Sequence, residues 1–164
     1  YDGCRLHRIN RFNVSPGGRL LAGEIITFGR IARGEKLRRG LVRDDWRLYR
    51  DGKIIWADCL HIEDDMDQIF QKSAGFSNSS AMGFFLYAAD DASKYINAAR
   101  QILAEQSNDS NEMHSGASAF SRFFLVRWLA QNPAELRVHF GAFWAKFRSI
   151  VSDNKAILPS LWHI

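Results

Sequence analysis

The stretch VRDDWRLYRDGKIIWADCLHI, residues 42–62, constrains the fold more than any other part of this chain. At its centre stands Asp51-Gly52, a dipeptide suited to a type I′ turn because both central residues there take positive φ. Before the turn, Val42, Trp46 and Leu48 share one face. After it, Ile54, Trp56, Leu60 and Ile62 share one face. Period two on both sides of a tight turn specifies an antiparallel pair with one side buried.

The flanking segments extend this β pattern. Residues 4–14 read as a strand, with Leu6, Ile9, Phe12 and Val14 interleaved among Arg5, His7, Arg8 and Arg11. The run Ser15-Pro16-Gly17-Gly18 is a turn, and residues 19–28 form a second strand, so the two are expected to pair as an antiparallel hairpin. Residues 63–80 are acidic and then small and polar: EDDMDQIF is expected to be a short helix and SAGFSNSSAMG a loop. Residues 82–89 form another strand. Asp90 and Asp91 are placed to cap a helix running to about Gln106, with Tyr95, Ala98, Ala99, Ile102 and Leu103 on one side. Residues 107–119 are expected to be a mobile polar connection. Residues 119–130 read as a strand, with a helix as the other reading. Asn132-Pro133-Ala134-Glu135 then offers an N-cap, a proline at the first helical position and a capping-box glutamate. Leu136, Phe140, Phe143, Trp144, Phe147, Ile150 and Val151 follow at helical spacing. The total is a mainly β, mostly antiparallel protein with two late α-helices.

Length and charge bound what such a chain does. Its 164 residues fit a single domain, and 46% apolar content supports a core. The longest apolar run, residues 82–89, is far short of the roughly 20 residues that span a bilayer. Cys4 and Cys59 are the two cysteines and belong to no metal or disulfide pattern, which points to a reducing cytoplasm. The chain begins at Tyr1 within what already reads as strand, so the expectation is that it starts inside a larger protein whose N-terminal portion is absent. Net charge is +4, but it is uneven: residues 1–53 carry +7, residues 54–121 carry −7 and residues 122–164 carry +4. A basic front half admits nucleic acid as a partner. Arginines alternating along strands also describe a solvated sheet face.

No catalytic constellation emerges. The stretch GRIARGEK, residues 29–36, lacks the GxxxxGK[ST] spacing of a phosphate loop, and neither GxGxxG nor GxSxG occurs. Asp44-Asp45 cannot converge, because neighbouring residues on a strand point to opposite faces. Asp64-Asp65 and Asp90-Asp91 read as turn or cap residues. The five histidines form no HExxH and no Cys/His cluster, and His61 with Glu63 is a weak two-ligand arrangement at most. A rigid β scaffold with a charged, glycine-rich strand end fits an interaction protein better than an enzyme.

Two separate motifs carry a resemblance. In RLLAGEIITFGRIARGEKL, an apolar strand with Leu20 and Leu21 leads to Glu24, then Gly29-Arg30, then Ala32, Gly34 and Glu35. The hairpin that follows adds Trp56, Asp58 and Leu60. Near the C-terminus, Trp144, Arg148, Pro159 and Trp162 stand in order. This pattern resembles the urease accessory protein D family, called accessory protein H in some bacteria, and specifically its C-terminal part. Ser149, Asp153-Asn154-Lys155 and Ser160 depart from the family pattern, and residues 63–120 resemble it loosely.

The resemblance implies stacked antiparallel sheets with late helices, and a non-catalytic role in urease maturation. Proteins of this kind act as a scaffold between apo-urease and the accessory F and G proteins, the latter a GTPase, while nickel is loaded. Nickel would then be in transit rather than a tightly bound cofactor, and neither nucleic acid nor membrane would be a partner. Glu24 is the candidate carboxylate along a nickel path, with Gly29 and Gly34 setting the backbone and Arg30 and Glu35 pairing with each other or a partner. The bland alternative for Glu24 is a structural ion pair with Arg30. The runner-up function is a basic, β-rich nucleic-acid-binding domain, and a third is a hydrolase whose catalytic residues lie outside this chain.

Overall fold

The computed structural model describes residues 1–106 and 112–163. Seven strands form two sheets: β1 (Arg5–Val14), β2 (Leu20–Thr27), β3 (Leu41–Arg50), β4 (Lys53–Glu63), β5 (Ala81–Ala88), β6 (Met113–Ala119) and β7 (Phe123–Ala130). Helices α1 (Met66–Gln71), α2 (Ile96–Gln106) and α3 (Pro133–Val151) complete the chain, with short 3₁₀ turns at Ile31–Arg33, Ala92–Lys94 and Ser160–His163. The first sheet has the order β1-β3-β4 and the second β2-β5-β7-β6. The protein is thus mainly β, with two stacked sheets and two late helices packed on the outside of the second.

The period-two pattern explains the layering. Phe84, Leu86, Phe123 and Leu125 point from the second sheet to Trp46 and Leu48 of the first, and form the core between the sheets. The alternate residues Phe85, Tyr87, Phe124, Val126 and Trp128 point the other way, onto Ile102, Leu103, Phe140, Phe143 and Phe147 of α2 and α3. The central strands β5 and β7 are therefore buried on both faces, which is why residues 123–130 are apolar except for Arg127. A third cluster, of Phe28, Leu37, Val42, Ile62 and Met66, lies under α1.

The Asp51-Gly52 hairpin forms as read, with positive φ at both residues (52° and 73°). Its register shifts between Leu48 and Tyr49, because Leu48 pairs with Trp56 while Tyr49 pairs with Ile54. The extra residue, Ile55, forms a bulge. Trp56, Leu60 and Ile62 turn inward, but Ile54, beyond the bulge, is exposed, which corrects its placement on that face.

The expected β1–β2 hairpin is not present. β1 runs parallel to β3, and β2 pairs antiparallel with β5, so the Ser15–Gly18 turn carries the chain from one sheet to the other. The reason lies in what holds that turn. Gly17 N–H donates to Asp90 (2.8 Å), and Arg50 also pairs with Asp90. Arg19 pairs with Asp91 at 3.1 Å. The two aspartates therefore tie the turn to the end of β5 and do not cap a helix with their side chains: Asp91 precedes a 3₁₀ turn without a side-chain cap bond.

Further corrections concern residues 73–119. Strand β5 begins at Ala81, within the stretch expected to be loop. Of the expected polar connection, residues 107–111 lie outside the described residues, and Met113–Ala119 form edge strand β6, paired along β7. Small residues there gave no apolar alternation to read. Helix α3 starts as its sequence demands: the Asn132 side chain accepts from the Ala134 and Glu135 N–H groups, and Pro133 occupies the first turn. Its aromatic face is core, with Phe140, Phe143 and Phe147 buried and Trp144 partly so.

Candidate functional site

Glu24 projects from β2 into the space between the sheets. Its row across the second sheet runs Glu24, Phe84, Arg127, Gly116. Facing it in the first sheet is the row Arg8, Asp44, Leu60, followed by Asn10, Trp46, Asp58. Sheet stacking brings opposite charges together at both ends. At one end Arg8 of β1 reaches both Glu24 and Asp44, donating to Asp44 through Nε and Nη2 at 2.9 Å each. At the other end Arg127 of β7 donates to Asp58 Oδ2 of β4 at 2.6 Å. Between them Trp46 packs edge-on against Phe84, with ring centroids 4.7 Å apart.

The Glu24–Asp44 pair is the most unusual element. Their side chains are only 13% and 3% exposed. The Trp46 indole N–H donates to both, at 3.1 Å to Glu24 and 2.9 Å to Asp44, and Asn10 adds a third donor to Asp44 at 2.9 Å. Burial pushes the Glu24 carboxyl from an ordinary 4.5 up to about 8, and its hydrogen bond to Asp44 and the neighbouring negative charge reinforce this. Burial works the same way on Asp44, but hydrogen bonds from Arg8, Glu24 and Trp46 outweigh it and hold that carboxyl well below its usual range. Two carboxyls this close favour keeping one proton between them. Burial raises Glu24 while direct hydrogen bonds lower Asp44, so the shared proton is favoured on Glu24, and Arg8 balances the remaining charge.

Beside the pair lies a cavity of about 40 Å³, lined by Glu24, Asp44, Trp46, Asp58, Leu60, Met82, Phe84 and Arg127. It has room for about one water molecule. Among the described residues no group of three or more His, Cys, Asp or Glu side chains is placed to hold a metal ion. The two carboxyls present hard oxygen donors, the class that suits hard cations.

The other expected site residues divide between two places. Gly29, Arg30, Gly34 and Glu35 form the loop after β2. Arg30 pairs with Glu35, not with Glu24, and its guanidinium lies 4.6 Å from the Tyr1 ring centroid. Gly29 is irreplaceable by geometry: φ is +104°, and a Cβ would meet the Glu35 carbonyl oxygen at 2.5 Å. The loop borders an open groove of about 540 Å³, completed by Asn132, Pro133 and Ala134 at the start of α3. Trp144, Arg148, Pro159 and Trp162 build a C-terminal latch. Arg148 donates to the Lys155 and Ile157 carbonyls, and the Trp162 N–H donates to the Pro159 carbonyl. Trp162 stacks on Phe140 over Gly141, where a Cβ would meet the indole at 2.5 Å. Trp144 links the two motifs: it lies against Gly23, where a Cβ would meet the Trp144 ring at 3.1 Å and the Phe84 carbonyl oxygen at 2.7 Å.

Arg8, Asn10, Asp44, Trp46 and Arg127 were not singled out as site residues from the sequence. One signal for Asp44 was present. It occupies the inward phase set by Val42, Trp46 and Leu48, and a carboxylate on a buried face requires a partner. Asp45 points outward, where Arg43 and Arg47 hold it at 2.9 Å each and His7 at 3.3 Å. His61 and Glu63 do share a face, but Glu63 is also engaged by Arg5 at 2.9 Å.

Fold and site together define a helix-backed two-sheet β domain with an ionic seam between its sheets. The family model described as UreD urease accessory protein matches residues 1–163, and the chain belongs to that family. The urease accessory protein UreD of Magnetococcus marinus is 34% identical over 164 residues, which is 100% of this chain and 56% of that protein. The UreD of Azorhizobium caulinodans is 33% identical over 99% of this chain and 56% of its own length. That of Granulibacter bethesdensis is 32% identical over 99% of this chain and 65% of its own. The chain thus spans between about half and two thirds of the length of these curated relatives.

Proposed function

We propose that this chain belongs to a non-catalytic urease maturation factor, a scaffold that joins apo-urease to the accessory F and G proteins while nickel is inserted. Family membership supports the maturation role. The observation that carries the mechanism is the buried Glu24–Asp44 pair beside a cavity between the sheets. Nickel is the cargo here. A passage site must bind it weakly enough to release it, and oxygen donors do so more readily than thiolates or imidazoles. Arg8 and the Glu24 proton supply positive charge when the cargo is elsewhere, so the pair is not left as two bare buried anions. The Arg30–Glu35 brace holds the loop after β2 in shape, beside the groove at the start of α3. The site of action is the cytoplasm, and among the described residues no helix is long and apolar enough to cross a membrane.

The nucleic-acid reading is weakened, although Arg11, Arg33, Lys36, Arg38, Arg39 and Lys53 add basic charge beyond the arginines paired with carboxylates. Arg5, Arg8, Arg19, Arg30, Arg43, Arg47 and Arg50 are all paired with carboxylates of this chain, and so do not form an open row for phosphates.

The test is co-expression of the full-length protein with the urease structural subunits and the F and G proteins. Association is expected, and Glu24→Ala is expected to abolish urease activation while leaving association intact. A folded protein that associates with none of these partners overturns the scaffold. Full activation by Glu24→Ala removes the carboxylate pair from the path.

A further inference from the structure

The cavity beside Glu24 and Asp44 is separated from solvent by few side chains. Of the residues lining it, Glu24, Asp44, Trp46 and Phe84 are buried or nearly so, whereas Arg127 and Asp58 have side chains 46% and 42% exposed. The mouth therefore lies at the Arg127–Asp58 pair. That pair joins β7 of one sheet to β4 of the other. Asp58 is pinned from two sides: its Oδ1 accepts from the Cys59 N–H at 2.9 Å, and its Oδ2 accepts from Arg127 at 2.6 Å. Arg127 is steadied by the Phe84 ring, 5.5 Å from its guanidinium carbon.

On the far side of Arg127 is a second space, an open groove of about 350 Å³ lined by Phe76, Met82, His114, Gly116, Arg127 and Trp128, among others. Arg127 and Met82 line both spaces and so form the partition between them. Directly beside Arg127 in the sheet stands Gly116, its register partner on β6. A Cβ built on Gly116 would touch nothing within 4 Å. Arg127 therefore has open space on the side away from the cavity, and among the described residues an exposed ion pair and a ring contact hold it in place. Both are weak in water.

We propose that the Arg127–Asp58 pair is the gate of the carboxylate cavity. In the closed form described here, the guanidinium covers the cavity mouth and its charge repels cations. Displacement of Arg127 toward Gly116 joins the cavity to the groove and frees Asp58 as the first oxygen donor that an incoming divalent cation meets. The route then runs from Asp58 to the Glu24–Asp44 pair. The nature of the cargo rests on the nickel-transfer reading; the gate itself is tested without urease.

The experiment is carboxyl footprinting of the purified full-length protein with a water-soluble carbodiimide and glycine ethyl ester, read by mass spectrometry at Glu24. Arg127→Ala is expected to raise labelling of Glu24 by about two- to fivefold, the factor an exposed ion pair is worth. Asp58→Asn, which keeps side-chain volume and removes the charge, is expected to raise it too. Arg100→Ala, on an exposed face of α2, leaves it unchanged. Unaltered Glu24 labelling in both gate variants, with circular dichroism and melting like the parent protein, overturns the gate. A failed gate leaves the loss of urease activation in Glu24→Ala standing. A failed scaffold leaves the labelling result standing.

Discussion

The two interiors of this protein are built on the same sheet and differ in kind. On the helix side, Phe147 packs against Phe85, Tyr87 and Phe124 with ring centroids 5.2–5.5 Å apart, all three at steep angles. Among the described residues that layer carries no ion pair between sheet and helix. On the side facing the first sheet, Trp46 and Leu48 also pack on Phe84 and Leu86, but Glu24, Asp44 and Arg8 occupy one end. Alternation along β5 and β7 separates the two layers residue by residue. The dry layer holds the domain together, and the wet-edged layer can carry charge because it does not have to.

The sharpest way to break this comparison is to damage the dry layer. Phe147→Ala is expected to cost about 3–5 kcal/mol of unfolding free energy, measured by denaturant titration, because the site is fully buried and cannot collapse around the void. A loss below about 1 kcal/mol would mean that the helices are dispensable and that the comparison is wrong. A smaller effect is expected on the other side. Arg8→Met leaves Asp44 buried with Trp46, Asn10 and Glu24 as its hydrogen-bonding partners among the described residues. Its cost is expected at about 2–3 kcal/mol by the same titration, less than for a fully buried pair because Arg8 is partly in water.

A further effect separates the layers by pH. A carboxyl whose pKa is higher folded than unfolded binds more protons in the folded state across that window. Its contribution to stability is complete below the unfolded pKa and is lost as pH rises through the folded one. For Glu24 the window runs from 4.5 to about 8. Stability is therefore expected to decline across this range, and Glu24→Gln, which imitates the protonated form, is expected to flatten the decline. Denaturant midpoints at a series of pH values measure it. An unchanged slope in Glu24→Gln would assign the proton elsewhere.

How far the sequence reached follows from how local each signal was. The Asp51-Gly52 hairpin and the Asn132-Pro133 start of α3 are encoded within a few residues, and both form as read. The partners of β1 and β2 are not local. A turn rich in Pro and Gly looks the same whether it folds a hairpin or passes the chain between sheets; here Asp90 and Asp91, more than seventy residues away, decide. The site suffers from the same distance. Glu24 was reached through the family pattern and not through any contact. Its neighbours depend on the parallel register of Arg8 with Asp44, which no short window of sequence contains. Only the inward phase of Asp44 was visible in advance.

The parallel pairing of β1 with β3 also orders events in time. Hairpin β3–β4 and helix α3 need only near neighbours and can form early. Strand β1 can dock only once β3 exists, across an intervening segment that must first deliver β2 to a different sheet. Contacts of long sequence separation form slowly because chain entropy is lost before they are made. Arg8 and Glu24 come from strands whose pairings are distant in sequence, so the ionic centre is expected to assemble late. A chain that has collapsed but not finished folding is then expected to lack it, so that Arg8, Glu24 and Asp44 meet only in the completed domain.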